Sequence, residues 1–202
     1  MRPVMTSREL RLDHAVLASL AIAFQPLGYY RVTPLAHQAT PLGMGFGRSR
    51  FSSPDNGFKV LYLAVDLTTG VAETLIRDRF ENRLRRRIGA TEIARWGVTR
   101  VSASSPMTVV DLRTTGLIRL GVPTDAGRAK AHRYGPRLSG VIHETSDADG
   151  ILYGSRLTGA SCCVVYDRAV PKLTAEPVTE LLQHAALTTV LSSLAVEVVM
   201  SA

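Results

Sequence analysis

The sequence predicts a mixed α+β domain with a central sheet core flanked by helices. Three observations carry this expectation. Short runs rich in β-branched and aromatic residues, "KVLYLAVD" at 59–66 foremost, are interspersed with stretches of helical spacing. Their order shows no regular βαβ alternation, which argues against a doubly wound parallel sheet. No internal repeat or Pro/Gly/Ser-rich linker divides the chain, so one compact domain is expected.

Taken in order, residues 9–24 carry an amphipathic helical pattern that Pro26 and Gly28 end, and residues 1–28 read as an N-terminal helical extension. "YYRVT" at 29–33 reads as a strand. Residues 34–58, rich in Gly, Pro and Ser, form a long loop of the kind that usually serves function in a compact domain. The buried strand at 59–66 feeds a helix from about Thr69 to Arg86, N-capped by Thr68 or Thr69, with Val71, Leu75, Ile76 and Phe80 as its apolar stripe. Glu73 lies off that stripe, in the first turn after the strand. "MTVVDL" at 107–112 is a further strand, and a helix follows a Thr124–Asp125 cap within 126–144. "GILYGSR" and "SCCVVYD" form a strand pair, and residues 176–199 form a closing apolar helix, either core or a partner surface.

Composition narrows the function. Of 202 residues, 46% are hydrophobic and 20% charged, enough for a packed core and against disorder. The net charge of +7 suits nucleic acid, an anionic membrane, an acidic protein or a phosphorylated small molecule. The densest cluster, Arg77, Arg79, Arg83, Arg85, Arg86 and Arg87, has few aromatics interleaved and no nucleic-acid motif, so it reads as a solvated helix face. A non-enzymatic basic binding module working through that helix is the alternative reading. Cys162 and Cys163 are adjacent, hence poor partners for each other in a strand, and point to a reducing compartment. His14, His37, His132, His143 and His184 show no ligand spacing, and no metal is expected. The apolar run at 15–24 is too short for a bilayer and follows Glu9 and Asp13, so no signal peptide is expected and the cytoplasm is the expected location.

The stretch "GMGFGRSRFSSPDNGFKVLYLAVD" at 43–66 first suggests a phosphate-binding glycine loop. Gly43, Gly45 and Gly47 precede a strand, however, instead of following one and opening a helix, so the dinucleotide fingerprint of a doubly wound fold is absent. The company of those glycines is more informative. An arginine loop, a tyrosine-bearing strand and a glutamate at the start of the next helix follow closely. Arginine offers a planar fork for phosphate oxygens, and a carboxylate can hold ribose hydroxyls and stabilise an oxocarbenium ion. Cleavage of a nicotinamide–ribose bond needs such a set.

"YRVTP" at 30–34, "SRFSSPDNGFKVLYLAVDLTTGVAETLIRD" at 49–78 and "DGILYGSRLTGASCCVVYD" at 149–167 together resemble the RES domain. The resemblance spans roughly residues 29–170 of a domain at 29–202, with five motifs in order: tyrosine–arginine, R-[FW]-[NS], "vLYLA", "A-x-E-T" and "GI-x-Y-x-S-R". It implies an ADP-ribosyltransferase-like fold and a toxin that degrades NAD+ by hydrolysis or phosphorolysis. It also implies neutralisation by a cognate antitoxin with an Xre-like DNA-binding region; with the closing apolar helix as a partner surface, a homodimer or a toxin–antitoxin hetero-oligomer is the expected assembly. NAD+ is then the substrate, inorganic phosphate a co-substrate, and no resident cofactor, membrane or direct nucleic-acid contact is expected. Mono-ADP-ribosylation of a protein shares the site and differs in acceptor. Carried over by position, the resemblance implies Arg50 and Glu73 as catalytic residues and Arg31, Tyr62 and Ser155 as substrate-binding residues. Arg50 and Arg31 would hold phosphate, Tyr62 would border the nicotinamide, Glu73 the ribose, and Ser155 the nicotinamide or ribose. Phe51 following Arg50 selects that arginine over Arg48. Ser52 and Gly154 depart from the family pattern, where asparagine and a proline or larger residue are frequent.

Overall fold

In the computed structural model, which describes residues 10–123 and 134–200, the buried run at 59–66 lies inside a sheet of nine strands. Chain order begins with α1 (His14–Ser19), β1 (Ala21–Phe24), β2 (Tyr29–Pro34), β3 (Val60–Ala64), α2 (Leu67–Val71), β4 (Arg87–Gly89), α3 (Ala90–Ile93) and β5 (Trp96–Ala103). It continues with β6 (Met107–Asp111), α4 (Gly116–Arg119), α5 (Gly135–Thr145), β7 (Gly150–Gly154), β8 (Ser161–Tyr166), β9 (Leu173–Ala175), β10 (Thr179–Glu180), α6 (Leu187–Ser193) and β11 (Glu197–Val199). The spatial order is β1-β6-β7-β8-β3-β2-β5-β10, with β9 also on β5, while β4 and β11 pair separately. Among the described residues of the large sheet only β6 and β7 run parallel. The result is the mixed α+β domain that the sequence predicts.

Alternation explains why the middle strands read as continuous apolar runs. On β8, Cys162, Val164 and Tyr166 face one core with Ile151, Phe51, Leu138 and Ile142, whereas Cys163 and Val165 face another with Leu61, Leu63 and Val109. A strand buried on both faces has no polar side to display. Full burial of a residue such as Phe51 or Leu138 contributes roughly 1.5–3 kcal/mol. A third core joins α2 and α6 to the inner face of β2 and β5 through Val71, Leu75, Val190, Val32 and Val98.

Several predicted elements differ. The segment expected as one helix over 9–24 is a short helix that stops at Leu20, followed by β1, which pairs antiparallel with β6. The N-terminal part is thus a strand of the main sheet as well as a helix. Asp66, not Thr68 or Thr69, caps α2, its carboxylate accepting the Thr69 N–H at 2.7 Å. The helix widens into a π turn over Ala72–Ile76 and ends at Arg77, far short of Arg86. Asp78 and Asn82 then take left-handed backbone with φ near 60° and 57°, residue types that tolerate it, and no helix continues through them. The expected closing helix over 176–199 is β10, a 3-10 turn, α6 and β11; Pro177 and the β-branched "EVV" suit these better. The expected Thr124–Asp125 cap lies outside the described residues; the helix that follows is α5.

Gly150 begins β7 where a Cβ would sit 2.0 Å from the Val164 carbonyl oxygen of β8. Gly150→Ala is therefore expected to cost about 4 kcal/mol or more, a large share of the roughly 5–15 kcal/mol of a typical domain, and to lower the melting temperature of the purified variant by about 8–16 °C or more in a thermal scan.

Candidate active site in the split between two strands

β2 and β3 are paired in register at one position, Tyr30 with Ala64. Beyond it they diverge, although β2 keeps a six-residue register on β5 and β3 a five-residue register on β8. The gap is a cleft of about 330 Å³, lined by Arg31 and Val32 of β2, Leu61 and Tyr62 of β3, and residues of the flanking loops and helix. Arg31, Arg50, Tyr62 and Glu73 all line it. Ser155 is not among its lining residues but hydrogen-bonds to one of them.

Arg50 rides on a tight turn. The Ser52 hydroxyl accepts from the Ser49 N–H and donates to the Ser49 carbonyl, both at 3.0 Å, so the serine at this departing position closes the turn with its own side chain. The Phe51 ring is fully buried and packs 5.0 Å from Tyr153. The Phe51 N–H donates to the Tyr62 hydroxyl at 2.9 Å, which also bonds Ser49 Oγ at 2.8 Å, while Ser139 Oγ donates to the Phe51 carbonyl at 2.7 Å. The turn is thereby fixed on both sides of Arg50, whose guanidinium lies 5.7 Å over Tyr153. Tyr62 thus uses its hydroxyl to hold the arginine turn and presents its ring to the cleft. Burial raises its phenol pKa, so it stays protonated at neutral pH.

Glu73 stands on the π turn, a geometry frequent at functional sites. Ser155 Oγ donates to Glu73 Oε1 at 2.7 Å and accepts from the Leu157 and Thr158 N–H groups at 3.1 and 3.2 Å. With the serine oxygen supplied by two backbone donors, its proton is directed at the carboxylate. The Thr69 and Thr158 hydroxyls bond at 2.9 Å and tie the same loop to α2. Arg156 pairs with Asp78 at the loop's outer side. Gly154 leaves its family-departing position open, since an added Cβ would meet nothing nearer than the Gly159 carbonyl at 3.7 Å.

Sequence reasoning missed two lining residues of note. Arg77, read as part of a solvated basic face, lines the cleft because the helix ends beside it. Tyr153, hidden in an apolar strand, forms the back wall. The cleft thus gathers Arg31, Arg50 and Arg77 in one lining with Glu73 and suits an anionic ligand. Arg31 donates to the Gly43 carbonyl at 2.6 Å, yet its Nη1 is buried with no hydrogen-bond partner among the described residues. Burial lowers the Arg31 pKa to about 10, still charged at neutral pH. Cys162 also lines the cleft, but burial pushes its thiol up to about 12, so it is no thiolate nucleophile. Among the described residues no three His, Cys, Asp or Glu side chains cluster as metal ligands.

Fold and cleft define an α+β domain with a split sheet and an arginine-rich, carboxylate-bearing cleft. A family model described as the RES domain matches residues 28–189, and the chain belongs to that family. The probable toxin y4kH of Sinorhizobium fredii is 39% identical over 88 residues, covering 43% of this chain and 68% of that protein. A chain in the crystal structure of the M. tuberculosis MbcT-MbcA toxin-antitoxin complex superposes with a TM-score of 0.63, over 84% of this chain and 93% of its own length. At 16% identity that likeness concerns the fold alone, a mixed α+β domain.

A partly buried cation with an unsatisfied nitrogen opposes folding, because the unfolded chain solvates it fully. Its depressed pKa means the penalty is present at neutral pH and is relieved only as pH rises through about 10. Arg31→Met is expected to keep or raise the melting temperature by up to about 4 °C in a thermal scan at pH 7, while weakening anion binding in the cleft.

Proposed function

We propose that this chain is a cytoplasmic NAD+-cleaving toxin, neutralised by an antitoxin protein with an Xre-type DNA-binding region. The observation that carries the reading is the serine-held carboxylate of Glu73 sharing one cleft with three arginines, Arg31, Arg50 and Arg77. The names of the relatives, a probable toxin and a toxin–antitoxin complex, support the setting. A toxin–antitoxin hetero-oligomer is the assembly this reading requires.

The arginines hold the diphosphate, and the Tyr62 ring borders the nicotinamide. Glu73 accepts from a ribose hydroxyl and stabilises positive charge as the bond from the anomeric carbon to the nicotinamide nitrogen breaks. The bonding electrons stay on that nitrogen, so the cationic ring leaves as neutral nicotinamide and needs no general acid. Ser155 acts through Glu73, fixing its orientation. Water or inorganic phosphate then bonds to the anomeric carbon, giving ADP-ribose or its 1″-phosphate, with release of the acceptor's proton. A protein side chain as acceptor makes the same site a mono-ADP-ribosyltransferase. No resident cofactor takes part.

The basic-module alternative loses its continuous face. Residues 77–86 form no helix, Arg79 pairs with Glu92, Arg87 pairs with Glu197 at 2.8 Å, and Arg86 lies over Phe80 at 5.4 Å. No helix among the described residues is long and apolar enough to cross a membrane.

The test is NAD+ consumption by the purified chain, with and without phosphate, with products resolved by mass. Glu73→Gln is expected to lower kcat by about 10²–10³-fold, and Ser155→Ala by about tenfold with a smaller change in KM. Undiminished NAD+ under all conditions from folded protein overturns the reading. Serine replacement that raises KM and spares kcat places Ser155 on the substrate instead of on Glu73.

A further inference from the structure

The loop that carries Ser155 turns back on itself. The Ser155 N–H donates to the Ala160 carbonyl at 2.8 Å, and the Gly159 N–H donates to the Ser155 carbonyl at 3.0 Å. Three side-chain bonds fasten this turn along the segment that begins with α2. The Thr158 and Thr69 hydroxyls bond at 2.9 Å, Ser155 Oγ donates to Glu73 Oε1 at 2.7 Å, and Arg156 Nη2 donates to Asp78 Oδ1. Thr69 and Glu73 are four residues apart, about one helical turn, and so present the same side to the loop. Asp78 lies just beyond the π turn in left-handed backbone, φ near 60°, a conformation that persists where its surroundings over-determine it.

The Asp78–Arg156 pair is built differently from a solvated surface bridge. The Arg156 side chain is 17% exposed, and its Nε is buried with no hydrogen-bond partner among the described residues. Burying an incompletely satisfied guanidinium costs free energy, whereas an exposed ion pair contributes little either way. The Asp78 carboxylate also faces Arg77 Nε at 3.6 Å through Oδ2. One carboxylate thus stands between Arg77, which lines the cleft, and Arg156, which directly follows Ser155 in the chain. Neither Asp78 nor Arg156 lines the cleft. Both line a separate cavity of about 460 Å³, with Phe80 and Leu157. Any effect they have on a ligand in the cleft therefore passes through Ser155, Glu73 or Arg77.

We propose that Asp78 and Arg156 are positioning residues: their ion pair clasps the Ser155 loop to the end of the π turn and so fixes the direction in which Ser155 Oγ donates to Glu73. The proposal rests on the NAD+-cleaving reading and adds to it the device that orients its carboxylate. The experiment is a double-mutant cycle on steady-state NAD+ consumption, with Arg156→Gln, Ser155→Ala and both together. Arg156→Gln removes the buried charge and leaves Asp78 to solvent and Arg77. It is expected to lower kcat by about five- to tenfold, bounded by the loss from Ser155→Ala itself, with KM within about twofold. In the Ser155→Ala chain the same replacement is expected to change kcat by less than about twofold, because the bond it steadies is already gone. Arg156→Lys, which keeps the charge and loses the fork, is expected to fall between wild type and Arg156→Gln. It takes the place of Arg156→Gln in the cycle if a thermal scan shows that the glutamine chain does not fold. An unchanged kcat, an equal loss in both backgrounds, or a loss confined to KM overturns the clasp and leaves the NAD+ reading standing. No NAD+ consumption by the folded wild-type chain overturns that reading, and the clasp with it.

Discussion

The hydrogen-bonded ladder between β2 and β3 stops after Tyr30 and Ala64, and the cleft exists because the two strands part there without loosening the sheet. Each strand is secured from its other side, β2 by β5 and β3 by β8, so their divergence leaves a stable gap. Gly70 of α2 lies at the paired end, where an added Cβ would stand 3.2 Å from Val32 Cγ2 and 3.8 Å from Ala64 Cβ. That close approach seats α2 against both strands and brings the π turn with Glu73 to the gap. A strand split in an otherwise continuous sheet is a concave site built on rigid elements, which locates groups more reliably than a free loop.

Positioning follows from how each side chain is held. The arginine turn is pinned through the Phe51 backbone by Tyr62 and Ser139, and Ser139 is in turn bonded to Tyr166 at 3.1 Å in the core. The carboxylate is pinned by a serine whose own oxygen is satisfied by backbone donors. Arg31, by contrast, sits partly buried with a nitrogen left over, an arrangement that opposes folding and favours an incoming anion. Stability and binding pull in opposite directions at that residue, as they often do at sites evolved for function.

How much of this was legible in the sequence varies by element. "KVLYLAVD" and "SCCVVYD" were readable because strands buried on both faces leave nothing polar to confuse the pattern. β5 was not, since Gly97, Arg100 and Ser102 interrupt its pattern; Gly97 is needed because Val178 Cγ1 would lie 2.4 Å from an added Cβ. The end of α2 was misplaced because Asp78 and Asn82 break the helix by backbone conformation while the apolar spacing runs on to Phe80. That error hid Arg77, whose place in the cleft depends on where the helix stops. Residues 176–199 looked helical from apolar content, yet β11 finds its partner in β4, a pairing across more than a hundred residues that local pattern does not encode. Glu73 and Ser155 are similarly distant in sequence, and only the ordered set of motifs suggested that they share a site. The phosphate-cradle look of Gly43, Gly45 and Gly47 proved uninformative: none has positive φ, and Gly43 serves through its carbonyl on Arg31.

The central claim is that the β2–β3 split binds NAD+ with its ribose on residue 73. A crystal structure of Glu73→Gln soaked with NAD+ tests it most directly. The account predicts the dinucleotide between the two strands, a ribose hydroxyl within hydrogen-bond distance of the residue 73 side chain, and the diphosphate on Arg31 and Arg50. An empty split at saturating NAD+, or a dinucleotide bound elsewhere with Arg31 and Arg50 untouched, contradicts it.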